Sequence, residues 1–311
     1  MNNLKELFEQ FIKAKKVSGK SPVTIKNYRD NFELLLLYRS DLQLSDLNPV
    51  TIVDFLTFLN ERDKKVGKEI IKRTLKNSSM ATVYGKLSSF CEWLHQQGHI
   101  AENPFSKIPY PNVEYTDKRA FKSEEVEKIC NAINTKIIWP NLFLKKRNIS
   151  IVMTLLLTGI RKGELLGLQI TDIDMKRKLL TIRAETSKSR RTRTIPISSS
   201  LIPYLEDYLS SRDDYSTPDL WVSNNSDRSF TDHGAKHLIE QLTKVTGINC
   251  HLHRFRHTFA VNYYLQSNND IMGLHHLLGH RTLKMTIGYL RSLTDDKVVQ
   301  QMQKMAVAEF I

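Results

Sequence analysis

Apolar residues recur at helical spacing through the first hundred positions of the chain. A first helix is indicated by a stripe at i, i+3 and i+4 that comprises Leu4, Leu7, Phe8, Phe11 and Ile12. Ser21-Pro22 and Asn48-Pro49 each place a capping side chain before a proline, which predicts the start of two further helices. A fourth helix is predicted from Ser79 to Gln97, with Gly98 as its stop. The first part of the chain should therefore form a bundle of four or five helices.

A strongly basic segment, ERDKKVGKEIIKRTLK, lies between the third and fourth predicted helices. Its charge fits a solvated face as well as an edge that contacts phosphate groups. The sequence leaves these two interpretations open.

The second part of the chain mixes helical and alternating patterns. Residues 103–119 contain three prolines and little periodicity, which indicates a linker between two domains. Helices are predicted at 123–134, 146–158 and 161–168, and again from 199 onward. Alternation at 179–182 and 192–197 predicts two short strands around a basic turn at 188–191.

Composition narrows the class of protein. Apolar residues make up 41% and charged residues 25% of the 311 positions, which is ordinary for a globular protein, and no apolar run approaches the roughly 18 residues of a membrane span. No secretory signal is visible, and three cysteines without a CxxC pair fit a reducing cytoplasm. Lys and Arg exceed Asp and Glu by 46 to 33, and the resulting charge of +13 suits a polyanion such as nucleic acid.

Two predicted helix starts carry side chains that are suited to catalysis. Arg161 follows a glycine break, and Glu164 lies one helical turn further on, where it can orient the guanidinium. His253 and Arg256 are three residues apart and share a helix face, with His257 next to them. Taken alone, the Arg161 segment is more often an ordinary helix start with a surface arginine.

A third motif pairs His280 with Tyr289, nine residues later. Each alone fits a helix cap or a half-buried aromatic residue. The nearby Cys250, His251, His253 and His257 have metal-ligating atoms, but their spacing forms no recognised zinc set. We therefore expect no metal ion.

The three motifs together, TGIRKGELLGL, HLHRFRHTFA and LLGHRTLKMTIGYLR, resemble the tyrosine recombinase (phage integrase) family in content and order. The early segment SPVTIKNYRD is similar to the family's helical core-binding domain. The resemblance implies a mainly α fold with a helical core-binding domain at 1–103, a linker at 104–120 and a mixed α/β catalytic domain at 121–311. A small antiparallel sheet is expected near 168–197, and the two domains are expected to form a C-shaped clamp around DNA.

The resemblance also implies catalytic roles. Arg161 and Arg256 would clamp the scissile phosphate with planar, forked donors, and His280 would add a hydrogen bond to it. His253 would do the same or accept the tyrosine proton. Tyr289 would be the nucleophile that forms a 3′-phosphotyrosyl link.

Three further residues complete the expected set. Lys188, on the basic turn, is the expected general acid, although neighbouring arginines also fit. Glu164 would support Arg161, and His257 would have a structural or orienting role. No cofactor is implied, since arginine and lysine neutralise the charge on the phosphate.

DNA contacts are expected on a larger set of basic residues: Lys72, Arg73, Lys76, Lys86, Arg190, Arg191, Lys236 and Lys244. The implied partner is double-stranded DNA with inverted-repeat core sites, bound by a homotetramer or by a heterotetramer with a related recombinase. A C-terminal helix after Tyr289 would be exchanged between protomers.

The chain has the size of a simple, Xer-like enzyme without an arm-binding domain. Such an enzyme integrates and excises a mobile element or resolves replicon dimers, and the sequence leaves that choice open. Two alternatives stay open as well: a catalytically silent DNA-binding protein on the same fold, and an enzyme like a type IB topoisomerase.

Overall fold

The computed structural model describes residues 3–66, 69–72, 75–113, 120–212, 215–223, 227–290 and 293. The chain divides into two compact units, Met1–Thr116 and Asp117–Ile311. Both are mainly helical, as the sequence predicts.

The first unit contains the four helices that the apolar pattern predicts. They are α1 (Leu4–Val17), α2 (Pro22–Tyr38), α3 (Pro49–Glu61) and α4 (Asn77–Gln96). The side chains of Ser21 and Asn48 accept hydrogen bonds from the backbone amides of Thr24 and Thr51, so both predicted caps are confirmed.

Aromatic side chains fill the core of this unit. The ring of Phe8 stacks on Phe32 with centroids 3.8 Å apart, and Phe90 meets Phe8 edge-on at 5.2 Å. A 3₁₀ turn, Pro104–Lys107, buries Phe105 in the same core. The start of the predicted linker thus packs with the first unit.

The basic segment after α3 forms an antiparallel hairpin that the sequence reading does not predict. Its strands are β1 (Asp63–Val66) and β2 (Glu69–Lys72), with Asp63 opposite Lys72. Charged residues occupy five of the eight positions in the two strands and interrupt the alternation by which strands are recognised.

The second unit has eight α-helices in its described part. They are α5 (Ser123–Asn131), α6 (Leu142–Thr158), α7 (Lys162–Leu166), α8 (Ile202–Leu209), α9 (Asp232–Thr246), α10 (Leu252–Gln266), α11 (Ile271–Leu278) and α12 (Leu283–Leu290). A π-helical turn, Ala132–Lys136, extends α5. The three helices predicted before the sheet are present, with ends shifted by a few residues.

The expected small antiparallel sheet is confirmed. Its strands are β3 (Ile173–Asp174), β4 (Leu179–Ile182) and β5 (Arg193–Pro196), in the order β3-β4-β5. Leu180 lies opposite Ile195, and both are buried. This pairing joins the sheet to the core.

Helix α6 is the centre of the second unit and packs against α8 and α10. It ends at Gly159, whose φ of +61° is a left-handed conformation that glycine adopts without strain. A side chain at this position would collide with the ring of Phe259 on α10. The close turn brings Arg161 beside α10.

The tail helix expected after Tyr289, at 293–311, lies outside the described residues except for its first position. Within the ranges that the structure describes, no helix is long and apolar enough to cross a membrane.

Candidate active site

Helices α10, α11 and α12 bring two of the three predicted motifs together in the second unit. Helix α10 carries His253, Arg256 and His257, the end of α11 leads into His280, and α12 carries Tyr289. The phenolic oxygen of Tyr289 lies 3.1 Å from Nε2 of His253. A hydroxyl and a possible proton acceptor are therefore in direct contact.

The ring of Tyr289 has a defined surrounding of imidazole and guanidinium groups. His257 stacks on it with centroids 4.2 Å apart and planes inclined by 25°. The ring of His280 lies at 4.9 Å, and Cζ of Arg256 lies 5.6 Å from the ring centroid. These contacts hold the phenol next to the charged groups.

Arg256 is buried beneath the tyrosine, with 1% of its surface exposed. Its Nη1 donates to the carbonyl of Gly159 at 2.6 Å, and Nη2 donates to that of Leu278 at 2.7 Å. Burial lowers the pKa of the Arg256 guanidinium to about 10, and the charge of Arg161 adds to this lowering. The group still carries its charge at neutral pH.

His280 contacts Arg256 through Nε2, 3.0 Å from Nη2. A guanidinium only donates hydrogen bonds, so Nε2 of His280 accepts and the ring proton is on Nδ1. Burial, followed by the charges of Arg256 and Arg161, lowers the pKa of His280 to about 3. His280 is thus neutral here, and its expected hydrogen bond to phosphate stays a prediction that requires a proton on Nε2.

Arg161 caps α7 and is tied to the same carbonyl groups. Its Nη1 lies 2.9 Å from Oε1 of Glu164 and 3.1 Å from the oxygen of Leu278, and its Nη2 lies 3.3 Å from the oxygen of Gly279. Arg161 and Arg256 therefore share the carbonyl of Leu278. The two guanidiniums converge on the end of α11.

Glu164 is buried between two arginines. Arg193 donates to both carboxylate oxygens, at 3.0 and 2.8 Å. Arg161 donates to Oε1 from its guanidinium and to Oε2 from its backbone amide, both at 2.9 Å. Burial alone would raise the pKa of Glu164, but the hydrogen bonds and charges of Arg193 and then of Arg161 outweigh it and lower the pKa to about 2. In the described part of this site, the three guanidiniums of Arg161, Arg193 and Arg256 outnumber this one carboxylate, so positive charge prevails.

Arg193 was absent from the predicted supporting residues. Along β5 it is in phase with Ile195 and Ile197, both of which are buried. An arginine on the buried side of a strand requires an acceptor, since an unpaired buried charge is costly. The alternation of Arg193 with buried isoleucines is the sequence signal from which an acidic partner could have been predicted.

Thr286 is a second residue that the sequence reading missed. It is fully buried on α12, and its Oγ1 lies 2.9 Å from Nδ1 of His280. A threonine at an apolar helix position carries no sequence signal for this contact.

Lys188 follows Ser187, whose hydroxyl group lies 3.5 Å from Oε1 of Glu164. Lys188 itself is exposed in the loop between β4 and β5, and the described residues offer its ammonium group no hydrogen bond or ion pair. The loop carries a left-handed residue, Arg190, with φ of +55°. A role for Lys188 requires its side chain to approach the other groups.

The expected DNA-contacting residues differ in their surroundings. Lys76, Arg190, Arg191, Lys236 and Lys244 are exposed. Of these, Lys236 pairs with Glu240 at 3.7 Å. Lys86 is half-buried and lies over the ring of Tyr28 at 4.3 Å. The side chain of Lys72 and the whole of Arg73 lie outside the described part.

No group of three or more His, Cys, Asp or Glu side chains within the described ranges is arranged to hold a metal ion. His251 was one of the residues considered as a zinc ligand. It instead caps α10, since its Nδ1 accepts a hydrogen bond from the backbone amide of Arg254.

Residues 119–295 match the phage integrase family, and residues 3–110 match the phage integrase SAM-like domain. The first match spans more than half of the chain, which therefore belongs to the phage integrase family, the class of tyrosine recombinases.

Relatives from several bacteria resemble the chain over nearly its full length. The tyrosine recombinase XerC of Oceanobacillus iheyensis is 26% identical over 310 residues, which cover 95% of this chain and 94% of that protein. A tyrosine recombinase of Thermosipho africanus is 25% identical over 299 residues, which cover 96% of this chain and 98% of that protein.

Two solved structures show the same fold. The Tn1549 transposon integrase in complex with transposon right end DNA has a TM-score of 0.77 at 15% identity, covering 97% of this chain and 99% of that one. The XerH recombinase bound to a palindromic difH substrate has a TM-score of 0.71 at 18% identity, covering 93% and 82%.

Proposed function

We propose that this chain is a site-specific DNA recombinase that cuts and rejoins DNA through a covalent link to Tyr289. The contact between the Tyr289 hydroxyl and Nε2 of His253, beside the buried guanidinium of Arg256, is the observation that carries the proposal. It combines a nucleophile, a base and positive charge in one place.

Cleavage begins when the Tyr289 oxygen attacks the phosphorus of a DNA phosphodiester. Its proton passes to Nε2 of His253, while a bond forms between the phenolic oxygen and phosphorus. Negative charge grows on the non-bridging oxygens. Arg161 and Arg256 stabilise it, since both are held in advance by carbonyl groups, and Arg161 is also held by Glu164.

The bond from phosphorus to the 5′ oxygen breaks in the same step, and this oxygen needs a proton. We assign that proton to Lys188, whose exposed position in the β4–β5 loop leaves its flexible side chain accessible to bound DNA. The products are a 3′-phosphotyrosyl link and a free 5′-hydroxyl group.

The phosphotyrosyl link retains the energy of the broken phosphodiester, so a 5′-hydroxyl group of a second duplex reverses the reaction without ATP. Exchange of one strand pair and then the other passes through a four-way junction. No metal ion takes part in this scheme, because the guanidinium groups supply the positive charge at phosphorus.

Double-stranded DNA with inverted-repeat core sites is the proposed partner. The net charge of +13 and the DNA-bound structural neighbours support a DNA substrate. We propose that four protomers, or two pairs with a related recombinase, assemble on two sites in the cytoplasm, and that residues after Tyr289 link neighbours. Integration and excision of a mobile element or resolution of replicon dimers would follow from this chemistry.

The proposal is tested by covalent capture. The protein is incubated with sheared DNA from its source organism, and denatured adducts are isolated and sequenced beside a Tyr289→Phe control. Adducts at one inverted-repeat site that depend on Tyr289 would support a recombinase, and strand exchange between two such sites would establish it.

Other outcomes favour the alternatives. Adducts scattered over the sequence, with relaxation of supercoiled DNA, would indicate an enzyme like a type IB topoisomerase. Binding without any adduct above the control would indicate a silent DNA-binding protein.

A further inference from the structure

The loop that carries Lys188 contacts the candidate site on both sides of this residue. It runs from the end of β4 at Ile182 to the start of β5 at Arg193. Ser187, directly before Lys188, and Arg193, five residues after it, are both buried. Each of these two side chains contacts the carboxylate of Glu164, whereas Lys188 between them is exposed.

Arg193 makes the stronger of the two contacts. Its Nη1 and Nη2 donate to the two carboxylate oxygens of Glu164 at 3.0 and 2.8 Å, which is a forked arrangement, and its Nε donates to the carbonyl of Leu277 at 2.9 Å. Each nitrogen of the guanidinium thus has an acceptor within the protein. Arg193 is therefore placed to hold other groups in position.

The acceptors of Arg193 are shared with, or adjacent to, those of Arg161 and Arg256. Glu164 also accepts a hydrogen bond from Arg161. The carbonyl of Leu278, the next one along α11, accepts from both of the expected catalytic arginines. Arg193 therefore joins the β4–β5 loop to the groups that are expected to hold the phosphate.

The other side of the loop holds Lys188 in a tight turn. The backbone amide of Arg190 donates to the carbonyl of Ser187 at 3.0 Å, which makes Lys188 the second residue of a four-residue turn. Oγ of Ser187 lies 2.8 Å from Oγ of Ser189 and 3.5 Å from Oε1 of Glu164. The base of the turn thus lies at the carboxylate.

We propose that Arg193 is a positioning residue for DNA cleavage, which holds the β4–β5 loop where the ammonium group of Lys188 reaches the leaving 5′ oxygen. The proposal rests on the function proposed above, with Lys188 as the general acid. A misplaced proton donor slows the departure of the 5′ oxygen, and misplacement by about 1 Å can cost on the order of 100-fold in rate. Arg193 acts through Lys188 and donates no proton itself.

Two substitutions weaken the loop contacts and keep the positive charge at Glu164. Arg193→Lys retains the charge, but one ammonium group cannot reproduce the forked contact of a guanidinium. Ser187→Ala removes the hydroxyl group on the other side of the loop and leaves Arg193 in place. It therefore decides the question if Arg193→Lys fails to fold.

Each substitution has a matched control in the second unit. Arg212→Lys changes another buried arginine, which donates to the carbonyl groups of Thr217 and Asp219. Ser150→Ala changes a buried serine on α6 whose Oγ has no hydrogen-bond partner in the described part of the chain. These controls report the effect of a loss of stability that does not involve the loop.

The rate of adduct formation is measured on ordinary DNA and on DNA with sulfur at the bridging 5′ position, together with DNA-binding affinity and thermal melting. On ordinary DNA we expect Arg193→Lys to be about 10- to 100-fold slower than the wild type. Ser187→Ala should be about 3- to 10-fold slower, the scale of one hydrogen bond. The sulfur substrate should restore both rates, because a thiolate leaves without a proton, and the controls should keep the wild-type ratio of the two rates. Equal slowing of both loop variants on both substrates would overturn the proposal.

A double variant tests whether Arg193 acts through Lys188. In Lys188→Ala the general acid is already absent, so the addition of Arg193→Lys should slow adduct formation on ordinary DNA by less than about twofold more. A double variant that is slowed by the product of the two single effects would mean that Arg193 acts independently of Lys188.

Hydrogen exchange of the loop is independent of activity. Mass spectrometry of the peptide 183–193 should show faster amide exchange in Arg193→Lys and Ser187→Ala than in the wild type and in the two controls. Unchanged exchange in both loop variants would contradict the proposal. A wild-type protein that forms no adduct with any DNA would instead contradict the proposed function, while the exchange rates would still report whether Arg193 holds the loop.

Discussion

The imidazole of His257 stacks on the ring of Tyr289, with centroids 4.2 Å apart and planes inclined by 25°. His257 is nearly buried, and its ring also meets His253 edge-on at 5.1 Å. The stack restricts the tilt of the phenol, and the hydroxyl group then meets His253. We therefore propose an orienting role for His257, which needs an aromatic ring and no proton transfer.

Two substitutions of His257 distinguish a role of its aromatic ring from a role of its imidazole nitrogens. His257→Ala should slow adduct formation by up to about tenfold, since an aromatic pair contributes about 0.5–1.5 kcal/mol. His257→Phe should retain most of the rate, and His276→Ala, at an exposed position of α11, should have no effect. If the Phe and Ala variants are equally slow, the imidazole itself is required and the orienting role is wrong.

Lys188→Ala should form adducts far more slowly with ordinary DNA, because the 5′ oxygen leaves without a proton. A substrate with sulfur at the bridging 5′ position should restore the rate, since a thiol has a pKa of about 8.5 and leaves as an anion. Lys176→Ala, another exposed lysine, serves as the control. If Lys188→Ala is slowed equally on both substrates, another residue is the general acid.

Glu164→Gln should destabilise the protein. The variant leaves the buried side chain of Arg193 without its charged partner, and breaking such a pair costs about 3–5 kcal/mol. Urea unfolding measures the free-energy difference, with the exposed Glu240→Gln as the matched control. A stability equal to that of the control variant would show that the Arg193–Glu164 pair contributes little.

His280 should make stability depend on pH. Its folded pKa of about 3 lies below the ordinary value of 6.5, so the unfolded chain binds a proton first as the pH falls. The contribution is complete above pH 6.5 and decreases from there towards pH 3, by at most about 1.4 kcal/mol per pH unit. Urea unfolding at pH 7 and pH 5 should show a smaller loss for His280→Gln than for the wild type.

His276→Gln, on the exposed side of α11, is the control for this measurement and should lose as much stability as the wild type between the two pH values. A loss in His280→Gln as large as in the wild type would mean that His280 is not held neutral by its surroundings.

The sequence predicts the helices well because local signals define them. Ser21 and Asn48 cap the predicted helices, and the apolar stripe of α1 is buried as expected. The hairpin at 63–72 has no such signal, because charged residues replace its alternation. Its pairing is visible only in three dimensions.

The candidate site likewise contains residues that the sequence predicts and contacts that it does not predict. Arg161, His253, Arg256, His280 and Tyr289 were predicted from motifs, and the structure brings them together. The pairing of Arg193 with Glu164 joins residues 29 positions apart, and the contact of Thr286 with two histidines depends on how α12 packs on α11. Such contacts are set by tertiary packing, which a single sequence does not specify.

The most direct test is to identify the residue and the DNA end in the covalent complex. The adduct formed on a defined core site is digested with protease and nuclease, and the modified peptide is sequenced by mass spectrometry. We predict a nucleotide joined through its 3′ phosphate to Tyr289, with a free 5′-hydroxyl group on the other strand end. A link to Tyr263 or Tyr264 on α10, or a link through a 5′ phosphate, would contradict the proposed chemistry.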